Sequence, residues 1–369
     1  MASRLLRQLD AALATEADPV RGACLRARRA LQWARLGRHA EARDELAAIR
    51  EAFGAAPQAE VTAWVNLAEA VSGAYDHPGP QAQDRLERAL LLARAIGHAE
   101  LQALCAAWLA HLDFNASRFQ PMVGHAAQAL QLAAPEHHAV HARVCLVVAD
   151  AHHYADCFEQ ARPWYDAARR HALVDGDHAT VSAILHNLTI FRVNNVRMAA
   201  VFGGVDAQRA ALALLEAESA RHYEAGIGIT ELGPFQPLPQ AQLLTVIGRW
   251  EQALALFRQH VELAAAHGME RMLLPCLADM AWCWLQLGRA DDAQATLARA
   301  QAQPLDGVEP DDLACAHLRF AQLHAAAGDA TQAAACRARA DAELGRYRAL
   351  QRELLALLAR GLPATPPVP

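Results

Sequence analysis

The chain has no lysine. All 34 of its basic residues are arginine, set against 40 acidic residues for a formal net charge of −6. With a pI near 6.3, the global positive field that usually holds nucleic acid is absent. Cysteine is present but never clustered. Cys24, Cys105, Cys145, Cys157, Cys276, Cys283, Cys315 and Cys336 include no CxxC pair, which argues against a zinc or dithiol centre. Scattered thiols of this kind read as small buried hydrophobes of a reducing compartment. Aromatics make up only 6% of a chain that is 54% apolar, so alanine and leucine must form the core. No apolar run reaches membrane-spanning length without a charge or a break. The opening residues MASRLLRQLDAALATEADPVRG lack an apolar signal region, so a cytoplasmic location without a membrane partner is expected. There is no GxSxG elbow, and the GIG at Gly226–Gly228 lacks the strand and helix of a phosphate loop. No cofactor and no enzymatic activity are expected.

What the chain does have is a period. GRWEQALALF begins at Gly248 and GRADDAQATL at Gly288, and the same punctuation recurs at Gly328 and Gly37. Taking Gly37, His77, Ser117, Asp156, Asn195, Gly248, Gly288 and Gly328 as turn residues gives steps of 40, 40, 39, 39, 53, 40 and 40. A fixed period in this range is the signature of stacked helical hairpins. The spacing predicts hairpins over 19–36 with 38–53, 60–72 with 81–96, 99–114 with 119–132, and 138–154 with 158–174. The fifth is out of phase. Its first helix is expected over 179–193, and Asn194-Asn195 and Gly203-Gly204 delay the second to 206–224. The run GIGITELGPFQPLP then shortens the next helix to about 238–247. Residues 194–239 are thus an irregular insertion, either a decayed repeat or a hinge that lines a groove. After Gly328, a helix over 330–344 closes the eighth hairpin. A separate amphipathic helix over 346–359 is expected to cap the end, and 361–369 to be a disordered tail.

Two clusters invite a chemical reading. His137 and His141, four residues apart, could share a metal with Asp175, Asp177 and His178 of a neighbouring edge. Three or four convergent ligands are needed, and exposed histidines at a helix start are the simpler reading. The arginines Arg21, Arg26, Arg28, Arg29, Arg35 and Arg38 make the first hairpin locally basic. That reads as a solvated face, with an acidic partner as the alternative.

The run LADMAWCWLQLGRADDAQATLARA resembles a tetratricopeptide repeat, with Ala281, Trp284, Gly288, Ala293, Leu297 and Ala300 in the expected places. The sixth unit (Ala241, Gly248, Trp250, Ala253, Phe257) and the fourth (Ala149, Phe158, Ala161, Tyr165) are similar to it. The 40-residue period exceeds the usual 34 and is similar to bacterial signalling variants of the family. The resemblance implies an all-α superhelix of about eight hairpins, one solenoid over 1–360 with a C-terminal capping helix. It also implies a groove lined by first helices that receives a protein or peptide. Carried over unit by unit, the lining is Glu69, His111, Asn115, Arg143, Asp150, His153, Tyr154, Ser182, Thr189, Arg192, Gln242 and Thr245. The lysine-asparagine clamp of chaperone-binding members has no counterpart here. The expected function is a non-catalytic scaffold in bacterial signalling. A sensor for a small molecule or signalling peptide is the runner-up, and a metal-dependent enzyme a distant third.

Overall fold

The computed structural model describes residues 3–76, 80–204, 206–227, 237–266 and 269–367. Among them the secondary structure is helical throughout, with no strand. In chain order the helices are α1 (Arg4–Thr15), α2 (Pro19–Arg35), α3 (His39–Phe53), α4 (Ala59–Asp76), α5 (Pro80–Ala95), α6 (Ala99–Asn115), α7 (Phe119–Leu132), α8 (His138–Tyr154) and α9 (Phe158–Asp175). They continue as α10 (His178–Phe202), α11 (Ala207–Ile227), α12 (Pro237–Val246), α13 (Trp250–Ala266), α14 (Leu273–Gln286), α15 (Ala290–Gln301), α16 (Pro310–Ala326) and α17 (Ala330–Gly361).

Local chemistry explains the punctuation. Asp18 caps α2 by accepting from the backbone N–H of Val20 and Arg21, with Pro19 at the first helical position. Between the two helices of a hairpin the chain takes one left-handed residue. Gly37, Gly248, Gly288 and Gly328 fill that position at φ of 81°, 76°, 72° and 81°. Ser117 and Asp156 take the same conformation at 53° and 59° without being glycine. The repeat phase marks these two turns where composition does not. Alanines then let the helices approach: Ala30, Ala42, Ala110, Ala126, Ala149 and Ala161 are fully buried. The turn at His77 lies outside the described residues.

By internal packing the chain divides into two compact units. The first comprises Met1–Leu185, Glu224–Glu231 and Arg352–Pro369. Its α2–α3, α4–α5, α6–α7 and α8–α9 pairs are antiparallel hairpins, and its two ends are tied together. Ser3 Oγ donates to the Gly176 carbonyl at 3.0 Å and Arg4 Nη2 to the Leu173 carbonyl at 2.6 Å. Arg35 of α2 donates to Asp177 at 2.7 Å and to Thr180 at 2.6 Å. Leu6, Leu36 and Ala179 close the seam with apolar contact. The second unit comprises His186–Tyr223 and Leu232–Gln351. Its core is built from Leu238, Phe257, Leu274, Leu277, Ala281, Leu297 and Phe320.

Two expected breaks are absent. Helix α10 runs on through Asn194-Asn195 to Phe202. Asparagine is a poor helix former, but tertiary contacts override propensity. Here Asn194 reaches Asp311 at 3.4 Å, and Arg197 is gripped by Asp279 and Asp312 at 2.8 and 2.6 Å. Helix α17 likewise continues through Gly345, so the segment expected as a separate helix over 346–359 is its second half. A mid-helix glycine costs only about 1 kcal/mol. The apolar stripe of that half is buried as expected at Leu354, Leu357 and Leu358. Arg352–Pro369 belongs to the first unit, where Gly361 lies against Val123. Helix α12 is short, as the prolines require. Residue 205 and the run 228–236 of the expected insertion lie outside the described residues. Residues 362–367 are irregular.

A non-glycine residue in the left-handed region costs about 1–2 kcal/mol, less for aspartate than for serine. Ser117→Gly is therefore expected to stabilise the chain by about 0.5–1 kcal/mol and Asp156→Gly by less, after the added freedom of the unfolded chain. Urea unfolding of the two variants checks this, and a loss of stability in Ser117→Gly would contradict it.

Candidate partner-binding site

In each hairpin the residues six, three and two before the turn residue share one face of the first helix. In the first unit this phase selects His111 and Asn115 before Ser117, and Asp150, His153 and Tyr154 before Asp156. The structure gathers part of this set around Trp108. The guanidinium of Arg143 from α8 lies 3.8 Å from the ring centroid, and that of Arg35 from α2 at 5.7 Å. His111 meets the same ring edge-on at 5.6 Å. Burial pushes the His111 imidazole down to about 3, and the charges of Arg143 and Arg35 add to the effect. It is neutral at physiological pH, and its Nε2 accepts from Asn115 Nδ2 at 3.2 Å.

The other candidates are placed differently. The Tyr165 hydroxyl donates to Asp150 at 2.7 Å and lies 3.3 Å from His153 Nδ1, which ties both residues into the α8–α9 hairpin. Tyr154 packs its ring against Phe114 and Phe119 at 6.1 and 5.8 Å. Glu69 is held by Arg50 and, at 3.6 Å, Arg85, both on second helices. Ser182 is buried. In the second unit Arg192 is paired with Glu216 at 2.5 Å and Thr189 is half-buried. Gln242 is buried, and Thr245 bonds the Ala241 carbonyl at 2.9 Å and lies 3.3 Å from Cys283 Sγ.

The histidine edge does not form the suggested ligand set. His137 Nδ1 accepts from the Ala134 N–H at 3.0 Å, and His141 Nε2 donates to the Ala134 carbonyl at 3.0 Å. Asp177 is taken by Arg35. Among the described residues no group of three or more His, Cys, Asp or Glu could hold a metal ion. His138 and His171 instead share a hydrogen bond between their Nδ1 atoms at 2.9 Å, and His141 stacks on His171 at 4.8 Å. In the basic N-terminal hairpin, Arg26 and Arg29 are paired with Glu45, and Arg38 with Glu41. Of the six arginines only Arg21 and Arg38 are exposed; Arg26, Arg28 and Arg29 are half-buried and Arg35 is buried, so the expected solvated face is largely packed.

A further groove lies outside the residues expected from the sequence. The same offsets before Gly288 and Gly328 give Trp282, Leu285 and Gln286 on α14, and Gln322, Ala325 and Ala326 on α16. These six residues, with Ala321, Ala333, Ala334 and Arg337, line a groove of about 730 Å³ within the second unit. Most of them are apolar, so polarity does not mark them as a site. Phase alone finds them.

A buried ionic network supports this groove from below. Asp279 accepts from Arg197 Nε at 2.8 Å and from Arg319 Nε at 3.2 Å, and Asp312 takes Arg197 Nη1 at 2.6 Å. Arg197, Asp279 and Arg319 are 2%, 1% and 5% exposed. Arg319 then stacks on Trp282 at 4.6 Å and donates to Gln322 at 2.9 Å. Asp279 and Arg319 are 40 residues apart, one period. Opposite charges at a one-period offset were the legible sign of this pair.

No protein-family model matches the chain, and no curated protein matches it. Solved structures do. The crystal structure of Rap protein complexed with competence and sporulation factor is similar over 95% of this chain and 92% of that one. The TM-score is 0.54 and the sequence identity 12%. At that identity the likeness is one of fold. Together with the repeat phase it defines the class: an all-α, tetratricopeptide-like helical-repeat protein.

Removing one partner of a buried ion pair typically costs about 3–5 kcal/mol, since the other charge stays desolvated. Asp279→Asn is expected to destabilise by that amount in urea unfolding, whereas Arg299→Gln on the surface should stay within about 0.5 kcal/mol. Equal effects would show that the network is not structural.

The two units should also respond oppositely to pH. Burial pushes His171 down to about 4, with His141, His138 and Arg170 adding to it. The unfolded chain then binds more protons, so this contribution is intact above the ordinary 6.5 and is lost as pH falls toward 4. Asp311 is raised to about 7 by burial beside Asp312 and Glu309. Its contribution is intact below 3.8 and lost as pH rises through 7. Hydrogen exchange corrected for intrinsic rates should show α8 and α9 losing protection on acidification, and the start of α16 losing it as pH rises from 3.8 through about 7. A shared response of both regions would refute this assignment.

Proposed function

We propose that the chain is a non-catalytic helical-repeat scaffold that takes a protein or peptide segment on the exposed face of its first helices. The observation that carries this is the groove of the second unit, lined by successive first helices at equivalent positions. Its volume of about 730 Å³ suits a ligand, and its lining, mostly apolar with a few polar groups, is what such sites have. Among the described lining residues, Gln286, Gln322 and Arg337 are the strongly polar anchors, too few for a tightly specified small polar metabolite. A polypeptide is therefore the better reading than a small molecule. The similar solved structure is itself a complex with a factor, which supports a partner-binding use of the fold.

The first-helix faces of hairpins three and four, with His111, Asn115 and Tyr154, are proposed as a further contact surface of the first unit, underlain by the buried Arg143. The amide and the aromatic rings suit polar backbone groups and apolar anchors. Asp150 and His153 support the fourth-hairpin face through Tyr165. A role in bacterial signalling, in the cytoplasm, follows the long-period repeat resemblance.

Ala325 is exposed on α16, so Ala325→Trp fills the groove without disturbing the core. It should weaken the purified partner at least about tenfold, equivalent to 1.4 kcal/mol, with the melting temperature unchanged. Arg299→Ala on a second helix should leave affinity intact. Titration calorimetry with the purified partner decides, and full-strength binding by Ala325→Trp removes the groove from consideration.

A further inference from the structure

The lining chemistry of the groove restricts the form of its occupant. The groove is walled by Trp282, Leu285 and Gln286 of α14, Ala321, Gln322, Ala325 and Ala326 of α16, and Ala333, Ala334 and Arg337 of α17. The apolar groups offer a bound backbone no hydrogen bond, and of the two amides Gln322 already accepts from Arg319. Every residue of an extended segment carries a donor and an acceptor, and burying them unpaired is costly. Extended peptides recover those bonds by joining a sheet edge, and there is no strand among the described residues. A helix satisfies its own backbone and presents only side chains. Alanine walls also let a second helix come close.

Helix-on-helix packing already builds this unit: α14 packs against α12 and α13, and α16 packs against α14 and α15. The groove is walled by α14, α16 and α17, so a helix entering it meets helices on every wall. The lining residues cover 282–286, 321–326 and 333–337, about 6–8 Å along each helix at 1.5 Å per residue. Arg337 is the one charged residue of the lining, and no ion pair joins it to a described residue. Its planar guanidinium is complementary to a carboxylate.

We propose that this groove receives an amphipathic helix from a partner protein, small apolar residues facing α16 and α17 and an aspartate or glutamate facing Arg337. The proposal rests on the groove being the partner site and adds the form and charge of the partner. The test selects peptides of about four helical turns from a random phage-displayed library on the full chain. Winners are resynthesised and measured against wild type, Ala325→Trp and Arg337→Gln, all three checked by thermal melting. Winners that need the groove should become helical on binding and carry an acid. They should lose about three- to fivefold on Arg337→Gln, the size expected of a half-exposed ion pair. Arg337→Glu should then prefer the same peptides with lysine in place of the acid. Groove-dependent winners that are proline-rich, or indifferent to Arg337→Gln, would overturn the helix-and-carboxylate proposal while leaving the groove reading intact. Winners indifferent to Ala325→Trp would overturn both. Self-association in sedimentation that Ala325→Trp abolishes would assign the groove to a second copy of this chain and overturn the proposal of a foreign helix.

Discussion

The second unit is organised around one buried carboxylate. Asp279 holds Arg197 on one oxygen and Arg319 on the other, so a single side chain on α14 sets the positions of α10 and α16. A carboxylate out of water is costly unless charge and hydrogen bonds compensate it, and two guanidinium groups supply both. The rest follows outward from that constraint. Arg319, fixed by Asp279, stacks on Trp282 and bonds Gln322, and those two residues form part of the groove. The ionic network under the groove therefore sets its shape, and the apolar lining sets what the groove can accept.

The first unit uses a related device with a different result. Arg35 is buried between Asp177, Thr180 and Gln32, and it joins the first hairpin to the turn that opens α10. Replacing such pairs with apolar residues often leaves stability unchanged, so their value lies in fixing which elements meet. Both contacts close a stack of hairpins whose nearest-neighbour packing alone would leave the ends unlinked.

Arginine suits these tasks in a way lysine does not, because its planar, weakly hydrated head bonds carboxylates in a fork and stacks on aromatic faces. Trp33, Trp64, Trp108, Trp282 and Trp284 each carry an arginine over the ring. Scarce aromatics are thus concentrated where charge meets the first-helix faces. The cluster at Trp108 and the groove at Trp282 are two versions of this arrangement, one polar and largely buried, the other apolar and open.

The sequence by itself determined the hairpins, because everything that specifies them is local. Left-handed turn residues, caps and alanine pairs act within a few positions, and the 40-residue phase located even the turns at Ser117 and Asp156 that lack glycine. The same phase falls on Trp282, Leu285 and Ala325, which form a groove only once the hairpins are stacked. Only the tertiary structure decided the length of α10, the continuity of α17 and the burial of Arg35, Arg197 and Asp279. The buried arginines find their partners 82 to 145 residues away, and no local pattern says which aspartate a given arginine will find. The charge pair at Asp279 and Arg319 falls between the two cases. Its one-period spacing is written in the sequence, but its meaning appears only once the hairpins are stacked and the two side chains are removed from water together.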